Sequence, residues 1–166
     1  MCWTRAGGCF EAAMRLGLTV GLPASGKSTW LREQGLTALS SDSARALLSG
    51  DETNQSINRL VFRTLRRLCE ARLEAGVAET WIDSTALAWW ERRCWIRWAE
   101  LHGCEIECVF FDVPLDECLR RNAARERIVP EGAMRAMAAR LTPPSADEGF
   151  ARVRVIGPGY TSSAII

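Results

Sequence analysis

The stretch Gly21-Leu22-Pro23-Ala24-Ser25-Gly26-Lys27-Ser28-Thr29 has the residue types and spacing of a phosphate-binding loop. Its glycines let the backbone wrap closely enough for N–H groups to point at phosphate oxygens. Lys27 would span the β- and γ-phosphates of a nucleotide, and the Ser28 hydroxyl would coordinate Mg²⁺. We therefore expect ATP or another nucleoside triphosphate, with Mg²⁺, and the nucleotide-binding residues would be Gly21, Ser25, Gly26, Lys27, Ser28 and Thr29.

The loop lies between a strand and a helix, as a phosphate-binding loop must. Leu16 to Val20 is a short apolar run typical of a strand, and Thr29 to Gln34 reads as the first turns of a helix. Lys27 is the only lysine among 21 basic residues, so the chain keeps a compact point charge where phosphate needs one. This context favours phosphate binding over a glycine-containing turn that binds nothing.

Two aspartates follow later predicted strands. Asp42 comes after the brief strand 36–40, and Asp83 ends the strand 80–82. Because the carboxyl ends of parallel strands share one edge of a sheet, both should lie near the loop. Asp83 is expected at Mg²⁺ or its water shell, with a plain turn aspartate as the alternative. Asp42 could simply cap the helix 44–48, although a cap does not explain Arg45, one turn on and on the same side.

Two predicted helices combine an apolar arc with arginines. The helix 55–75 has an apolar arc of Ile57, Leu60, Val61, Leu65 and Leu68, opposite Arg59, Arg63, Arg66 and Arg67. Those arginines form either solvated surface or a stripe that tracks phosphates. The helix 88–102 has a predicted core stripe of Leu87, Trp90, Cys94, Trp98 and Leu101. Its other side would be a packing surface or a base-stacking platform, formed by Trp89, Ile96, Arg92, Arg93 and Arg97.

A third arginine-rich segment follows the fourth strand, 105–111. The helix 115–124 ends in Arg120-Arg121-Asn122-Ala123-Ala124-Arg125-Glu126-Arg127, and a further helix is predicted over 131–141. Residues 119–131 therefore predict an arginine-bearing lid that closes over polyphosphate and neutralises transition-state charge. The alternative is a solvated charge run.

The whole chain suits one domain. Its 166 residues carry five predicted strands, the last at 152–156, separated by helices and with the P-loop after the first strand, which predicts an α/β fold with a doubly wound five-stranded parallel sheet. Residues 1–15 would be a peripheral segment and 157–166 a frayed tail. A net charge of +1 argues against a broadly cationic coat for nucleic acid.

The cysteine content and the lack of long apolar segments predict a cytoplasmic protein. The chain has seven cysteines without a CxxC pair and only one histidine, which argues against a zinc site and indicates reduced thiols. We expect no membrane segment and no signal peptide, because Glu11 and Arg15 interrupt the N-terminal apolar stretch.

Taken together, these motifs resemble the kinase domain of phage and bacterial polynucleotide 5′-hydroxyl kinases, the end-healing enzymes of nucleic-acid repair. The resemblance runs from about residue 18 to 156, and it rests on GLPASGKST, SSDSAR, GDETNQ, WIDST and RRNAAR with its following Val-Pro. One departure is Ala86, where the family often has asparagine after Asp-Ser-Thr.

The resemblance implies a role for each matching residue. Asp42 would be the general base on the 5′-hydroxyl, and Arg45 would engage the 3′-phosphate of the acceptor. Lys27 and the lid arginines Arg121, Arg125 and Arg127 would hold the donor phosphates, and Gln55 falls in the acceptor-side segment. It implies a 5′-OH RNA or DNA end as acceptor substrate. The chain would be either an excised domain or a stand-alone kinase. A stand-alone kinase could form a homo-oligomer, or it could work with a companion phosphatase or ligase on a separate chain.

Two other functions stay open from the sequence. A kinase of the same fold could act on a sugar, nucleoside or antibiotic. A nucleotide-binding switch that hydrolyses slowly is disfavoured, since the chain has no Asn-Lys-x-Asp segment to select guanine.

Overall fold

The chain folds into five parallel strands with helices on both faces of the sheet. The structure is a computed structural model and describes residues 14–159. Its strands are β1 (Arg15–Val20), β2 (Ala38–Ser40), β3 (Glu79–Asp83), β4 (Glu105–Phe111) and β5 (Arg152–Ile156). Its α-helices are α1 (Lys27–Glu33), α2 (Ser41–Ser49), α3 (Asn58–Glu74), α4 (Trp89–His102), α5 (Leu115–Ala123) and α6 (Glu131–Arg140). The predicted α/β fold is confirmed.

The strand order is β2-β3-β1-β4-β5, which puts β1 in the middle of the sheet. Leu16, Leu18 and Val20 of β1 have no exposed surface, as expected for a parallel strand covered on both faces. Gly17 pairs with Trp81 of β3, and a Cβ atom at this glycine would lie 2.2 Å from the Trp81 ring. Glycine is therefore required here because the indole crosses the strand.

Each face of the sheet has its own apolar layer. One layer packs β-strand side chains such as Leu18, Ile82 and Phe110 against helices α2, α3 and α4. The other packs Trp81, Val109 and Phe111 against α1, α5 and α6. Side chains from one strand alternate between the two layers, which is the packing that a doubly wound sheet requires.

The predicted core stripe of α4 is wrong in part. Trp98 and the preceding Leu87 are buried, but Trp90, Cys94 and Leu101 are exposed. The buried side chains of the helix are Arg92, Trp95, Ile96, Trp98 and Ala99. The helix is rotated from the predicted face because the Arg92 guanidinium is fully buried and paired with Glu148, which a count of apolar residues cannot anticipate.

Helix α3 keeps its predicted apolar face with one correction. Val61 and Leu65 are buried as expected, but Cys69 completes the buried face, whereas Leu68 is 43% exposed. The helix is also preceded by a separate 3₁₀ turn at Gln55–Ile57. Its remaining arginine-bearing surface is described below.

Some predictions concern the chain ends. Residues 1–13 and 160–166 lie outside the described part, and so do Cys2 and Cys9. Met14 is buried in the core and Arg15 begins β1, so these two residues are not peripheral. The cysteines of the described part are free. Over residues 14–159, no helix is long and apolar enough to cross a membrane.

Candidate active site

The P-loop connects β1 to α1 and holds the Lys27 ammonium group inside it. Lys27 Nζ donates to the carbonyl oxygens of Gly21 (2.9 Å) and Leu22 (2.7 Å) and lies 3.4 Å from the Ser25 hydroxyl. Burial lowers the pKa of Lys27 to about 8, although the Asp83 carboxylate opposes this shift. Only neutral oxygens touch this ammonium among the described residues. A polyphosphate in the loop would supply the anion that the buried charge lacks.

Two glycines give the loop its shape. Gly21 has φ 149°, and a Cβ atom there would lie 3.0 Å from both the Phe111 backbone oxygen and the Ser25 hydroxyl. Gly26, which precedes α1, has φ 104°. Both values lie in the region that side chains disfavour, so the loop needs glycine at these positions.

Ser28 and Asp83 form the candidate metal site at the mouth of the loop. The Ser28 hydroxyl donates to Asp83 Oδ2 at 2.6 Å, and the Thr19 hydroxyl lies 3.4 Å from Asp83 Oδ1. Oxygen donors of this kind suit Mg²⁺, which is usually held by one or two protein groups together with substrate phosphates. The described residues contain no cluster of three or more His, Cys, Asp or Glu side chains. The donor set therefore fits a phosphate-bound Mg²⁺ rather than a closed protein cage.

Asp42 lines the same cavity as the P-loop and lies between two arginines. Its Oδ1 accepts a hydrogen bond from Arg45 Nη1 at 2.6 Å, and its Oδ2 accepts one from Arg127 Nη1 at 3.2 Å. The Asp42 side chain is nevertheless 53% exposed, so the carboxylate is oriented without being sealed off. Such a carboxylate can accept a proton from a hydroxyl group in the cavity.

The capping alternative for Asp42 does not hold. Ser40 is the N-cap of α2, and its hydroxyl accepts a hydrogen bond from the Ser43 N–H at 3.3 Å. The helix begins at Ser41, three residues before the predicted start. Asp42 thus lies within the first turn, with its side chain free to face the cavity.

Arg45 is almost completely buried, and its guanidinium donates hydrogen bonds to several neighbouring groups. Its Nη1 also donates to the Glu52 carbonyl oxygen at 3.1 Å, and its Nη2 donates to Asn58 Oδ1 at 2.7 Å. Its Nε is buried and has no partner among the described residues. Gln55 lies beside this network and accepts a hydrogen bond from Asn58 Nδ2 at 2.8 Å. Three of the five guanidinium N–H groups of Arg45 are therefore used within the protein, and besides the buried Nε one N–H on Nη2 remains for an acceptor group.

The lid, residues 119–131, contains the end of α5 and the loop before α6. Hydrogen bonds from Arg120 and Arg121 hold the pKa of Glu117 down at about 2, so this carboxylate stays charged beside the lid. Arg121 Nη1 lies 4.0 Å from where a Gly26 Cβ would be, which places its guanidinium next to the P-loop. Arg125 has no ion pair within the described chain, and its positive charge contributes to lowering the pKa of Lys27.

Asn122 fixes the fold of the lid loop. Its side-chain amide donates to the Val129 carbonyl oxygen at 2.8 Å, and its Oδ1 accepts from the Val129 N–H at 3.0 Å. Arg127, the lid arginine expected at the donor phosphates, instead pairs with Asp42, and its Nη1 also lies 3.1 Å from Glu52 Oε1. The lid is thereby linked to the segment that follows α2.

All these elements surround one cavity of about 1240 Å³. It brings together predicted residues from distant parts of the sequence: Gly26, Lys27, Ser28, Thr29, Asp42, Arg45, Gln55, Asp83, Arg121, Arg125 and Arg127. Gly21 and Ser25 lie within the P-loop, where Ser25 is buried. The same cavity is thus lined by P-loop residues and by the Asp42–Arg45 pair.

Arg92 is a residue of this region whose role the sequence did not indicate. Its Nη1 donates to the carbonyl oxygens of Ala86 (3.1 Å), Leu87 (2.9 Å) and Thr142 (3.0 Å), and its Nε donates to Glu148 at 2.7 Å. Ala86 has φ 42°, a left-handed conformation that asparagine adopts more readily than alanine. Arg92 therefore stabilises the loop that joins Asp83 to α4. This loop contains Ala86, the residue at which the sequence departs from the polynucleotide kinase pattern.

Ser84 lies on the same loop and also lines the cavity. Its hydroxyl oxygen is buried and has no hydrogen-bond partner among the described residues. The adjacent Thr85 carbonyl oxygen accepts a hydrogen bond from the Gly21 N–H at 3.0 Å. The loop after β3 is thus hydrogen-bonded directly to the P-loop. In the sequence, only the Asp-Ser-Thr segment indicated that this loop belongs to the site.

Comparisons with known proteins agree with this architecture. The family model described as an AAA domain matches residues 16–144. A chain in the structure of the Pnkp1/Rnl/Hen1 RNA repair complex superposes with a TM-score of 0.66 and 16% identity, covering 78% of this chain and 44% of that chain. This chain therefore spans less than half the length of that neighbour.

Two further neighbours match along most of their length. A sugar kinase from Janibacter sp. HTCC2649 has a TM-score of 0.63 and 22% identity, with 87% of this chain and 86% of that chain covered. The Mycobacterium tuberculosis APS kinase CysC, in complex with AMPPNP and APS, has a TM-score of 0.58 and 22% identity, with 90% and 91% covered. At these identities the likeness establishes the fold.

Proposed function

The chain belongs to the AAA domain family, and from that premise we propose that it is an ATP-dependent kinase that phosphorylates the 5′-hydroxyl end of RNA or DNA. The observation that carries the proposal is the position of Asp42, whose carboxylate faces the same cavity as Lys27 and Ser28. Phosphoryl transfer needs positioned phosphates, cations and an acceptor-side base. This cavity has a candidate for each.

At the donor end, the P-loop N–H groups and Lys27 bind the β- and γ-phosphates of ATP. Lys27 exchanges its carbonyl contacts for phosphate oxygens, and Arg121 and Arg125 approach from the lid. Ser28 and Asp83 would hold Mg²⁺, which would supply positive charge to the donor phosphates. These groups orient the γ-phosphate toward Asp42 and stabilise the charge that develops on it.

At the acceptor end, Asp42 accepts the proton of the 5′-hydroxyl group while the oxygen of that hydroxyl attacks the γ-phosphorus. The bond between that phosphorus and the bridging oxygen breaks, and ADP leaves. Arg127 and Arg45 hold the carboxylate in its orientation, and the remaining Nη2 N–H of Arg45 is the donor that would reach the 3′-phosphate of the terminal nucleotide. The RNA repair complex among the structural neighbours supports a polynucleotide as the acceptor. A phosphatase or ligase partner on a separate chain would be consistent with a function in nucleic-acid repair.

A small-molecule acceptor is the competing candidate. It is favoured by the buried state of Arg45, which makes three hydrogen bonds within the protein and leaves little capacity for a polynucleotide phosphate. The test is direct. The protein is incubated with labelled ATP and either a 5′-OH oligonucleotide or a panel of sugars and nucleosides. Transfer to the oligonucleotide is expected, whereas transfer only to a metabolite, or ATP hydrolysis alone, would refute the proposal.

Variants of Asp42 and Arg45 test their separate roles. Asp42→Asn keeps the side-chain size but removes the base, so turnover at saturating oligonucleotide should fall about 10²–10⁴-fold. Asp116→Asn is the matched control, since Asp116 is exposed on α5 and does not line the cavity. Arg45→Ala should weaken acceptor use most when a 3′-phosphate is present. Equal impairment with and without that phosphate would remove Arg45 from acceptor recognition.

A further inference from the structure

Beyond Asn58, its first residue, helix α3 contributes three long side chains to the wall of the cavity, namely Arg59, Phe62 and Arg66. Their spacings of three and four residues place them on one face of the helix. Arg59 and Arg66 are separated by seven residues, or about 10 Å along the helix axis. We call these three residues the α3 stripe.

The two arginines of the α3 stripe differ from most other arginines of the cavity. Within residues 14–159, the side chains of Arg59 and Arg66 make no hydrogen bond or ion pair. Most of the others face a carboxylate: Arg45 and Arg127 pair with Asp42, Arg120 and Arg121 with Glu117, and Arg140 with Glu91. A cation that lines a cavity without a protein partner is available to an anionic ligand.

Phe62 separates the two arginines and is only half-buried. One side of its side chain packs against the core layer that α3 shares with the sheet, and it also lines the cavity. Packing on one side fixes the ring, while the other side stays open. An aromatic ring in this arrangement can stack on a nucleobase of any identity.

The α3 stripe begins beside the proposed acceptor site. Asn58, whose Oδ1 accepts a hydrogen bond from the buried Arg45, is the residue immediately before Arg59. Arg59 therefore lies near the Asp42–Arg45 pair, and Arg66 lies about two helical turns farther along α3. A strand whose 5′ end reaches Asp42 could continue along this face.

Building on the proposed function, we propose that the α3 stripe binds the acceptor strand beyond its 5′-terminal nucleotide. Arg59 and Arg66 bind successive backbone phosphates, and Phe62 stacks on a base between them. The acceptor is then a polynucleotide rather than a mononucleotide, and recognition depends on charge and stacking instead of base sequence.

The test compares acceptors of increasing length. The wild-type protein is assayed with a 3′-mononucleotide and with 5′-OH oligonucleotides of two to ten residues. The value of kcat/KM should rise with length over the first few nucleotides and then level off. If the mononucleotide and the decamer are used equally well, the α3 stripe does not contact the acceptor strand.

Substitutions on α3 identify the residues responsible. Arg59→Ala and Arg66→Ala should each raise KM for the decamer about tenfold, with a smaller change for the mononucleotide and little change in kcat. Each should also reduce the dependence of log affinity on log salt concentration by about one unit. Phe62→Leu keeps an apolar side chain and should raise the decamer KM about tenfold through lost stacking.

Arg63→Ala is the matched control, because Arg63 is an exposed arginine on the same helix that does not line the cavity. Its kinetic constants and salt dependence should equal those of the wild type. If the α3 stripe variants behave like Arg63→Ala, the inference is wrong while the proposed kinase function stands. If the wild type phosphorylates no 5′-hydroxyl of any length, the proposed function itself fails.

Discussion

The proposed donor end of the cavity is built mainly around one continuous segment, whereas the proposed acceptor end is assembled from separated ones. Gly21 to Ser28 form the P-loop by local backbone geometry, and Asp83 completes it from the neighbouring strand. At the acceptor end, Asp42 depends on Arg45 from its own helix and on Arg127, 85 positions away in sequence. Distant side chains rather than the local backbone hold the acceptor end together.

This difference has an energetic consequence. At the donor end the reactive side chains are held by a loop that keeps its shape without them, so their loss should remove activity and leave stability intact. At the acceptor end the side chains support one another through charged hydrogen bonds, which contribute about 1.5–3 kcal/mol when buried and about 1 kcal/mol or less where they are half-exposed, as at Asp42. Substitutions there should reduce both activity and stability.

The largest expected effect is at Lys27. Lys27→Met removes the cation that binds the donor phosphates and should reduce transfer about 10³-fold or more. Its melting temperature should be unchanged or higher, because the variant no longer buries a charge that pays a desolvation penalty. Transfer rate and thermal unfolding measure the two properties. A variant that is inactive because it has unfolded would contradict the comparison.

The lid arginines should give the next largest effect. Arg125→Ala and Arg121→Ala should each lower turnover about 10²–10³-fold, since each removes a cation near the γ-phosphate. Arg135→Ala on α6 is the control, because this arginine is exposed, pairs with Glu131 and lies outside the cavity. Turnover of the Arg121 and Arg125 variants within a factor of two of the control would make the lid a solvated charge run.

Arg45 should show the combined loss that characterises the acceptor end. Arg45→Met keeps much of the apolar volume but removes hydrogen bonds to Asp42, Glu52 and Asn58. We expect the free energy of unfolding to fall by about 2 kcal/mol, because Asp42 is half-exposed and can be rehydrated. Denaturant unfolding beside Lys27→Met provides the comparison. Equal stability of the two variants would show that both ends depend on the local backbone.

The smallest effect concerns pH at the donor end. With a pKa of about 8, Lys27 is charged below that pH and neutral above it. Binding of ATP requires the charged form, so affinity should decrease above pH 8, by at most about tenfold per pH unit. Stability of the free protein should instead rise between pH 8 and the ordinary lysine value of 10.5, because only the unfolded chain then keeps the proton. Lys27→Met should remove both dependences, which nucleotide titrations and unfolding curves across this range would check.

Several features could be predicted from sequence because they depend on local chemistry. The glycine pattern specifies the P-loop, since few residues tolerate the backbone conformation of Gly21 and Gly26. Apolar runs that alternate with helical patterns specify the parallel sheet, because both faces of such strands must be covered. The positions of Asp42 and Asp83 after their strands predict that they meet at one edge of the sheet, as they do.

The partners of charged side chains could not be predicted in the same way. The periodicity of α4 placed Arg92 opposite the predicted core stripe, and yet Arg92 is completely buried because Glu148 and three carbonyl groups satisfy it. Likewise, the sequence shows that α3 and the lid contain many arginines, but it does not indicate which of these arginines have carboxylate partners. Local patterns determined the fold and the P-loop of this protein. Only tertiary structure decided which arginines are neutralised and which remain available, because ion pairs form between residues that the fold, and not the sequence, makes neighbours.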